Sequence, residues 1–216
     1  ELLASWSVPA GLVEHAAGVY ERRYATHETT AGLAAAAARM ALTNARLDVR
    51  AVDAIIGAST VPQQAIPCTA AFVQRELGAP DGGSVCFDVN ATCLSFLVAL
   101  QNAAHLVAAG AYRTVLIFSS ELGSRFLNPA EPQSAILFGD AAAAAVITRA
   151  REGESSAVHQ TRFATHSSGA DYTEVRGGGT RHSPNDPATT PEMNLFAMNG
   201  SAVFRQAARL LPPFLD

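Results

Sequence analysis

An α/β fold is what this sequence predicts, and three observations carry it. A β run at 84–89 passes through a short turn into an apolar helical pattern near Cys93. That pattern stops at Gly110 and leads to a second β run, TVLIF at 114–118. The second run is almost continuously apolar, the mark of a strand covered on both faces. An apolar fraction of 49% with 16% charged residues supplies enough hydrocarbon for a packed core and argues against disorder. A β-turn-α-turn-β order implies two parallel strands as neighbours, joined by a crossover helix.

The remaining elements follow along the chain. Between Trp6 and Val19 the pattern is short helix or loop, and residues 21–23 are a charged surface stretch. A helix is predicted from Thr29 or Thr30 through the alanines at 34–38 to Ala41, because alanine is the strongest helix former and threonine can cap. Residues 53–56 read as a strand ending at Gly57, with a polar turn at 59–64. A second helix over 69–77 is stopped by Gly78 and Pro80. The helix of the central unit is predicted over 93–109, with Phe96, Leu97, Leu100, Ala104 and Val107 as its apolar face. Residues 120–135 read as a polar loop. Propensity alone would make the alanines at 141–145 helical. The shortness of the run and its end in Val146, Ile147 and Thr148 favour a buried strand instead. Residues 150–194 are expected to be strands joined by a long loop around 176–179. A last helix, 200–211, is expected to end before Pro212 and Pro213. No linker divides the 216 residues, so they read as one domain, 1–216.

Composition excludes several classes of function. A net charge of −4 gives no reason to expect a nucleic-acid partner. No run reaches the roughly 18 apolar residues of a membrane span, and no basic segment precedes an apolar core at the start, so neither a membrane span nor a secretory signal is expected. The three cysteines, Cys68, Cys86 and Cys93, form no C-x-x-C pair and no cluster with histidine. That usage suits a reducing, cytoplasmic compartment and gives no zinc site.

Cys93 is open to two readings from local pattern. It could be a small buried hydrophobe, as cysteine often is. It could also be a nucleophile: a strand-to-helix turn projects the side chain from the carboxyl edge of the sheet, and the helix amides and dipole favour thiolate. Such a thiolate can accept an acyl group by thioester exchange and present it to a second nucleophile. Cys86, inside a strand, reads as structural, and Cys68, near a helix start, as packing.

Four segments in order decide more. FDVNATCLSF at 87–96, GVYERR at 18–23, ILFGDAAAAAV at 136–146 and MNGSAVF at 198–204 span nearly the whole chain. The first resembles the active-site segment of the β-ketoacyl synthase III family, and the others resemble that family's TGIRER, FGDGAGA and MxGxxVF segments. The resemblance implies a thiolase-like fold with α-β-α-β-α layers, of which this chain would be the N-terminal half. It implies no metal or redox cofactor. The substrates would be acyl thioesters of coenzyme A or of an acyl carrier protein, and the assembly a dimer.

Residue by residue, Cys93 matches the family nucleophile, and its amide would form half of the oxyanion hole. Gly200 and Phe204 match positions lining the pantetheine tunnel. Ile66 and Pro67 match the loop that reaches across the dimer interface. Leu94 and Ser95 replace the usual Ala-Gly after the cysteine, which would reshape the floor of the acyl pocket. Leu12, Ala16 and Pro132 stand where the family has the residues that clasp adenine, which favours a carrier-protein thioester or a differently held coenzyme A. None of the six histidines matches the family histidine. His105, twelve residues beyond Cys93, would lie about 18 Å from it along the helix. The catalytic His and Asn are therefore expected from a C-terminal half, in another segment or a companion chain. The implied activity joins the acyl group on Cys93 to a malonyl-type donor, giving a β-ketoacyl product. Two alternatives stand beside it: non-decarboxylative condensation or acyl transfer to oxygen or nitrogen, and a non-catalytic partner subunit.

Overall fold

The computed structural model describes residues 11–215, and these form two compact units. One comprises residues 24–122 and 140–162 and holds the main sheet; the other comprises, among the described residues, 11–23, 123–139 and 163–215. Trp6 and the earlier part of the predicted first segment lie outside the described residues.

In the sheet unit four strands run in the order β2-β1-β3-β4, namely Val85–Asp88, Ala54–Gly57, Thr114–Leu122 and Asp140–Thr148. β1 is parallel to β2 and β3, while β4 runs antiparallel to β3 along nine residues. The predicted strands around Cys93 are thus parallel, but β1 lies between them and they are not neighbours. Burial explains the order. All four residues of β1 are buried, whereas β2 exposes Val85 and Asp88, so β1 takes the centre and β2 an edge.

The period-two alternation of β1 and β3 divides the core. Ile55, Leu116 and Phe118 face helices α2 (Thr30–Ala45) and α3 (Thr69–Leu77). Ala54, Ile56, Val115 and Ile117 face helix α4 (Ser95–Ala108), which contributes Ala99, Ala103 and Val107. Ile55, Ile56, Leu116, Ile117 and Phe118 are each fully buried, and each such side chain stabilises the fold by about 1.5–3 kcal/mol. Helix α2 lays Ala31, Ala34, Ala35, Ala38 and Leu42 on the sheet at helical spacing; four of the five are alanines, so the helix can approach closely. Its start is the predicted one, with the Thr29 hydroxyl accepting from the Gly32 amide at 3.0 Å.

Several boundaries differ from expectation. β3 continues to Leu122, through what reads as loop, because Ser119–Leu122 keeps its ladder with residues 140–143 and Ser120 is bonded on both sides. The Ser120 amide donates to Ser59 Oγ at 3.0 Å, and its hydroxyl donates to the Thr30 carbonyl at 2.8 Å. The alanine run is a strand, as preferred: β4 pairs along all of β3, and Ala144 and Val146 pack on one face, Ala145 and Ile147 on the other. α4 begins at Ser95 rather than Cys93, with Leu94 at the cap position. Among the described residues no helix is long and apolar enough to cross a membrane.

In the second unit lie α1 (Leu12–Ala17), α5 (Pro132–Ala135), a two-residue ladder between β5 (Thr173–Glu174) and β6 (Ala197–Met198), and α6 (Gly200–Leu215). The expected strands of 150–194 reduce to β5, with short stretches of tight helix at Ser167–Tyr172 and Pro191–Asn194. Few apolar residues alternate there, so little holds a longer ladder. Phe138 and Phe196 meet edge to face at 4.9 Å, and the Phe196 amide donates to the Phe126 carbonyl at 2.8 Å. α6 runs through Pro212 and Pro213 instead of stopping before them. Each proline fixes φ close to a helical value but forfeits an amide donor and crowds the carbonyl four residues back, so the end of α6 lacks two ladder bonds.

The start of α3 is held from outside the helix. Cys68, at its cap position, makes no side-chain cap, and the carboxylate of Asp88 accepts from the amides of Thr69 at 2.6 Å and Ala70 at 2.9 Å. A carboxylate is favoured there by the unpaired amides and the helix dipole. Gly57 makes room for it, since a Cβ at Gly57 would lie 2.2 Å from Asp88 Oδ1. Asp88→Ala is expected to cost about 1–2 kcal/mol, read as a lower urea midpoint with unchanged slope; an unaltered midpoint would show that the cap carries no stability.

Candidate active site

Parallel pairing brings the carboxyl ends of β1, β2 and β3 to one edge of the sheet, with Gly57 level with Asp88 and Phe118. The segments leaving that edge carry polar residues: Ser59 and Thr60 after β1, Asn90 after β2, and Glu121 at the end of β3 itself. A cavity of about 290 Å³ opens there, with Gly57, Ser59, Gln64, Cys68, Asp88 and Asn90 in its wall.

Cys93 sits on the turn between β2 and α4, and its side chain is exposed. It precedes the helix by two residues, so the thiol belongs to the turn and not to the first helical turn as the periodicity suggests. Thr92 just before it has φ +49°, a left-handed conformation that β-branched residues rarely adopt. Local bonds hold that conformation. The Leu94 amide donates to the Ala91 carbonyl at 3.1 Å, and the Ser95 amide to the Thr92 carbonyl at 3.0 Å. The buried Ser95 hydroxyl donates to the Thr92 carbonyl at 2.6 Å and accepts from the Ala91 amide at 2.9 Å. The Thr92 amide in turn donates to Asn90 Oδ1 at 2.9 Å.

The other expected site residues divide between the units. Leu94 follows Cys93 and is exposed, and Ile66 is exposed on the loop before α3, both in the sheet unit. Gly200 opens α6 and Phe204 stands exposed on it, in the second unit. Cys93, Leu94 and Ile66 lie outside the cavity wall, which Asn90 joins to the cysteine turn. His105 is exposed on α4, well down the helix. Cys86 lies within β2, and burial pushes its thiol up to about 11, with Cys68 and Asp88 adding to the shift. Cys68 leans on the same strand, its sulfur 3.7 Å from the Cys86 carbonyl.

Residue periodicity passes over two participants. Asn90 donates through Nδ2 to the Thr60 carbonyl at 3.1 Å. Glu121, half-buried, accepts from the Thr60 amide at 2.6 Å and from the Ser119 hydroxyl at 3.5 Å. Burial raises the Glu121 carboxyl above its ordinary value, and the hydrogen bonds from Thr60, Ser119 and the Val61 amide oppose that rise in part. An acid three residues beyond the apolar run 114–118 was the signal available for Glu121.

Comparison with known proteins places this geometry. The family model for 3-oxoacyl-[acyl-carrier-protein (ACP)] synthase III matches residues 87–167, the stretch that holds Cys93, α4, β3 and β4. The chain is 35% identical over 193 residues to β-ketoacyl-[acyl-carrier-protein] synthase III of Clostridioides difficile (strain 630), covering 89% of this chain and 57% of that protein. It is 34% identical over 213 residues to an acetoacetyl CoA synthase of Streptomyces sp. (strain CL190), covering 96% and 64%. A crystal structure of a 3-oxoacyl-(acyl-carrier-protein) synthase III superposes with a TM-score of 0.86 at 29% identity, over 98% of this chain and 66% of that one. The chain thus spans about 57% of the length of the first of these relatives.

Two measurements check the site. Iodoacetamide at pH 8 is expected to label exposed Cys93 and to spare Cys86, whose thiolate fraction would be roughly a thousandth at that pH; peptide mapping that finds Cys86 labelled first would contradict the burial described. For Glu121 the folded state holds its proton more tightly than the unfolded chain does. Stability should therefore be fully present below the ordinary carboxylate value and fall as pH rises through the raised one. Urea unfolding at pH values from about 4 upward should show a shallower fall in Glu121→Gln than in the parent protein, and identical slopes would refute it.

Proposed function

Because the chain belongs, over the length it spans, to the 3-oxoacyl-[acyl-carrier-protein] synthase III family with its thiolase fold, we propose that it carries the acyl-accepting nucleophile of a β-ketoacyl synthase, Cys93. The observation that supports this most is an exposed thiol on a strained turn, at the edge where three parallel strands end. An open α/β sheet offers its ligand crevice at that edge, and strain persists where the surroundings over-determine it.

In the proposed reaction the Cys93 thiolate attacks the carbonyl carbon of an acyl thioester. The new carbon–sulfur bond forms first, giving a tetrahedral oxyanion; on its collapse the old carbon–sulfur bond breaks, and the departing coenzyme A or carrier thiolate takes a proton. Its own amide, with one from outside these residues, would stabilise the oxyanion between those events. A malonyl thioester then loses carbon dioxide, and its enolate carbon attacks the acyl group on Cys93, expelling the thiolate and releasing a β-ketoacyl thioester. Histidine and asparagine for that enolate would come from residues outside this chain, in another segment or a companion subunit. The proposed substrates are those named by the relatives, thioesters of acyl carrier protein and of coenzyme A. By the family resemblance Leu94 and Ile66 would serve the acyl pocket, and Gly200 and Phe204 would stand at pantetheine positions; the enzyme is proposed to be a cytoplasmic dimer that needs no metal or redox cofactor.

Incubation of the full-length protein with acetyl-CoA, followed by intact mass measurement, is expected to show one acetyl group, absent from Cys93→Ala. Malonyl thioester should then discharge it as a β-ketoacyl product. An adduct that persists in Cys93→Ala, or none in the parent protein, would remove the proposal.

A further inference from the structure

Cys93 owes its placement to a turn, and that turn is tied to a carboxylate 28 residues away in sequence. The tie can be followed atom by atom. Glu121 Oε1 accepts from the Thr60 amide at 2.6 Å. The carbonyl of the same residue accepts from Asn90 Nδ2 at 3.1 Å. Asn90 Oδ1 accepts from the Thr92 amide at 2.9 Å, and Thr92 is the residue with φ +49° immediately before the thiol. From these contacts we infer that Glu121 is a positioning residue for Cys93, acting through Thr60 and Asn90 on the backbone of Thr92.

The components differ in stiffness, which gives the relay its direction. Glu121 is the anchored end: it lies in β3, paired there with Ala141 of β4, and it follows the fully buried Ser120, which is bonded to Ser59 and to the Thr30 carbonyl. Thr60 and Asn90 lie on segments that have just left the sheet, and Asn90 is exposed. Without the carboxylate, Thr60 loses the acceptor that fixes its amide. Its carbonyl then no longer presents a fixed target to Asn90, and the amide side chain is free to rotate away from Thr92. A hydrogen bond with an ionised acceptor is about twice as strong as a neutral one, which suits a carboxylate at the anchored end. Left-handed Thr92 is costly in isolation, so it relaxes once the bonds that hold it are removed. Glu121 touches neither the thiol nor any reacting atom in this scheme, and its effect is on the geometry of attack alone.

This inference rests on the acyltransferase reading for its kinetic test, and a second readout is independent of that reading. In the full-length protein, rapid-quench acylation of Cys93 by acetyl-CoA should slow in Glu121→Ala by roughly tenfold at saturation, with the half-saturating concentration little changed. Glu121→Gln, which keeps an acceptor oxygen, should recover most of the rate. Asn90→Ala should show the same loss, and the double variant should be no slower than the slower single variant, as expected for two links of one relay. Should Glu121→Ala fail to fold, Glu121→Met removes the acceptor while keeping the bulk. Hydrogen exchange at the Thr92 amide should quicken in each variant lacking the acceptor. Folded variants that acylate at the parental rate, losses that multiply in the double variant, or unchanged Thr92 protection would each overturn the inference. A parent protein that takes no acyl group would sink the acyltransferase reading alone, and Thr92 exchange would still decide the role of Glu121.

Discussion

Parallel strands that pair side by side send their carboxyl ends out along a common edge, and the connections leaving that edge must meet one another. In this protein β1 (Ala54–Gly57) pairs on both sides in parallel, so the chain leaves Gly57 and Asp88 at one level, and β3 passes Phe118 at the same height. Everything at the candidate site depends on that pairing. It sets the carboxylate of Asp88 under the first amides of α3, the side chain of Asn90 against the Thr60 carbonyl, and Glu121 against the Thr60 amide. Its stability comes from burial on the two faces of β1 and β3, where Ile55, Ile56, Leu116, Ile117 and Phe118 are removed from water.

Apolar packing holds the sheet, and polar bonding holds the edge. Ser59, Ser95 and Ser120 are buried, and each of their hydroxyls is bonded to main chain. Buried hydroxyls left unpaired would cost more than they contribute, so a network of this kind stabilises only when it is complete. Completed, it over-determines the backbone around Thr92, which can then hold a conformation its β-branched side chain disfavours. The thiol at the next residue stands exposed, while the two cysteines nearer the sheet are half-buried. Three identical functional groups thus differ in exposure, and burial within β2 pushes the Cys86 thiol up to about 11.

Much of this was legible in the residue order. α3 spans the predicted residues and stops at Gly78, and Thr29 caps α2. The alanine run resolved as a strand because Val146 and Ile147 alternate between the two core faces, a periodicity that outweighs alanine's helical preference. Less legible were the neighbours of each strand. Nothing local to 84–89 or 114–118 says that β1 inserts between them, since that depends on which strand is apolar on both faces relative to the others. The extension of β3 through Ser119, Ser120 and Glu121 was hidden for a related reason: polar residues remain in a strand when partners distant in the chain bond them.

The sequence by itself determined the class of fold, the strand-turn-helix that carries Cys93, and the four ordered segments that carry the resemblance to the synthase III family. Periodicity, capping and punctuation are properties of neighbouring residues, and they survive in a linear reading. Only the tertiary structure decided the order of strands, the two-residue offset between Cys93 and its helix, and the joining of Glu121, Thr60, Asn90 and Thr92. Those are relations between segments separated by some 30 to 60 residues, and hydrogen bonds of about 3 Å between such segments exist only after the sheet has brought their ends together.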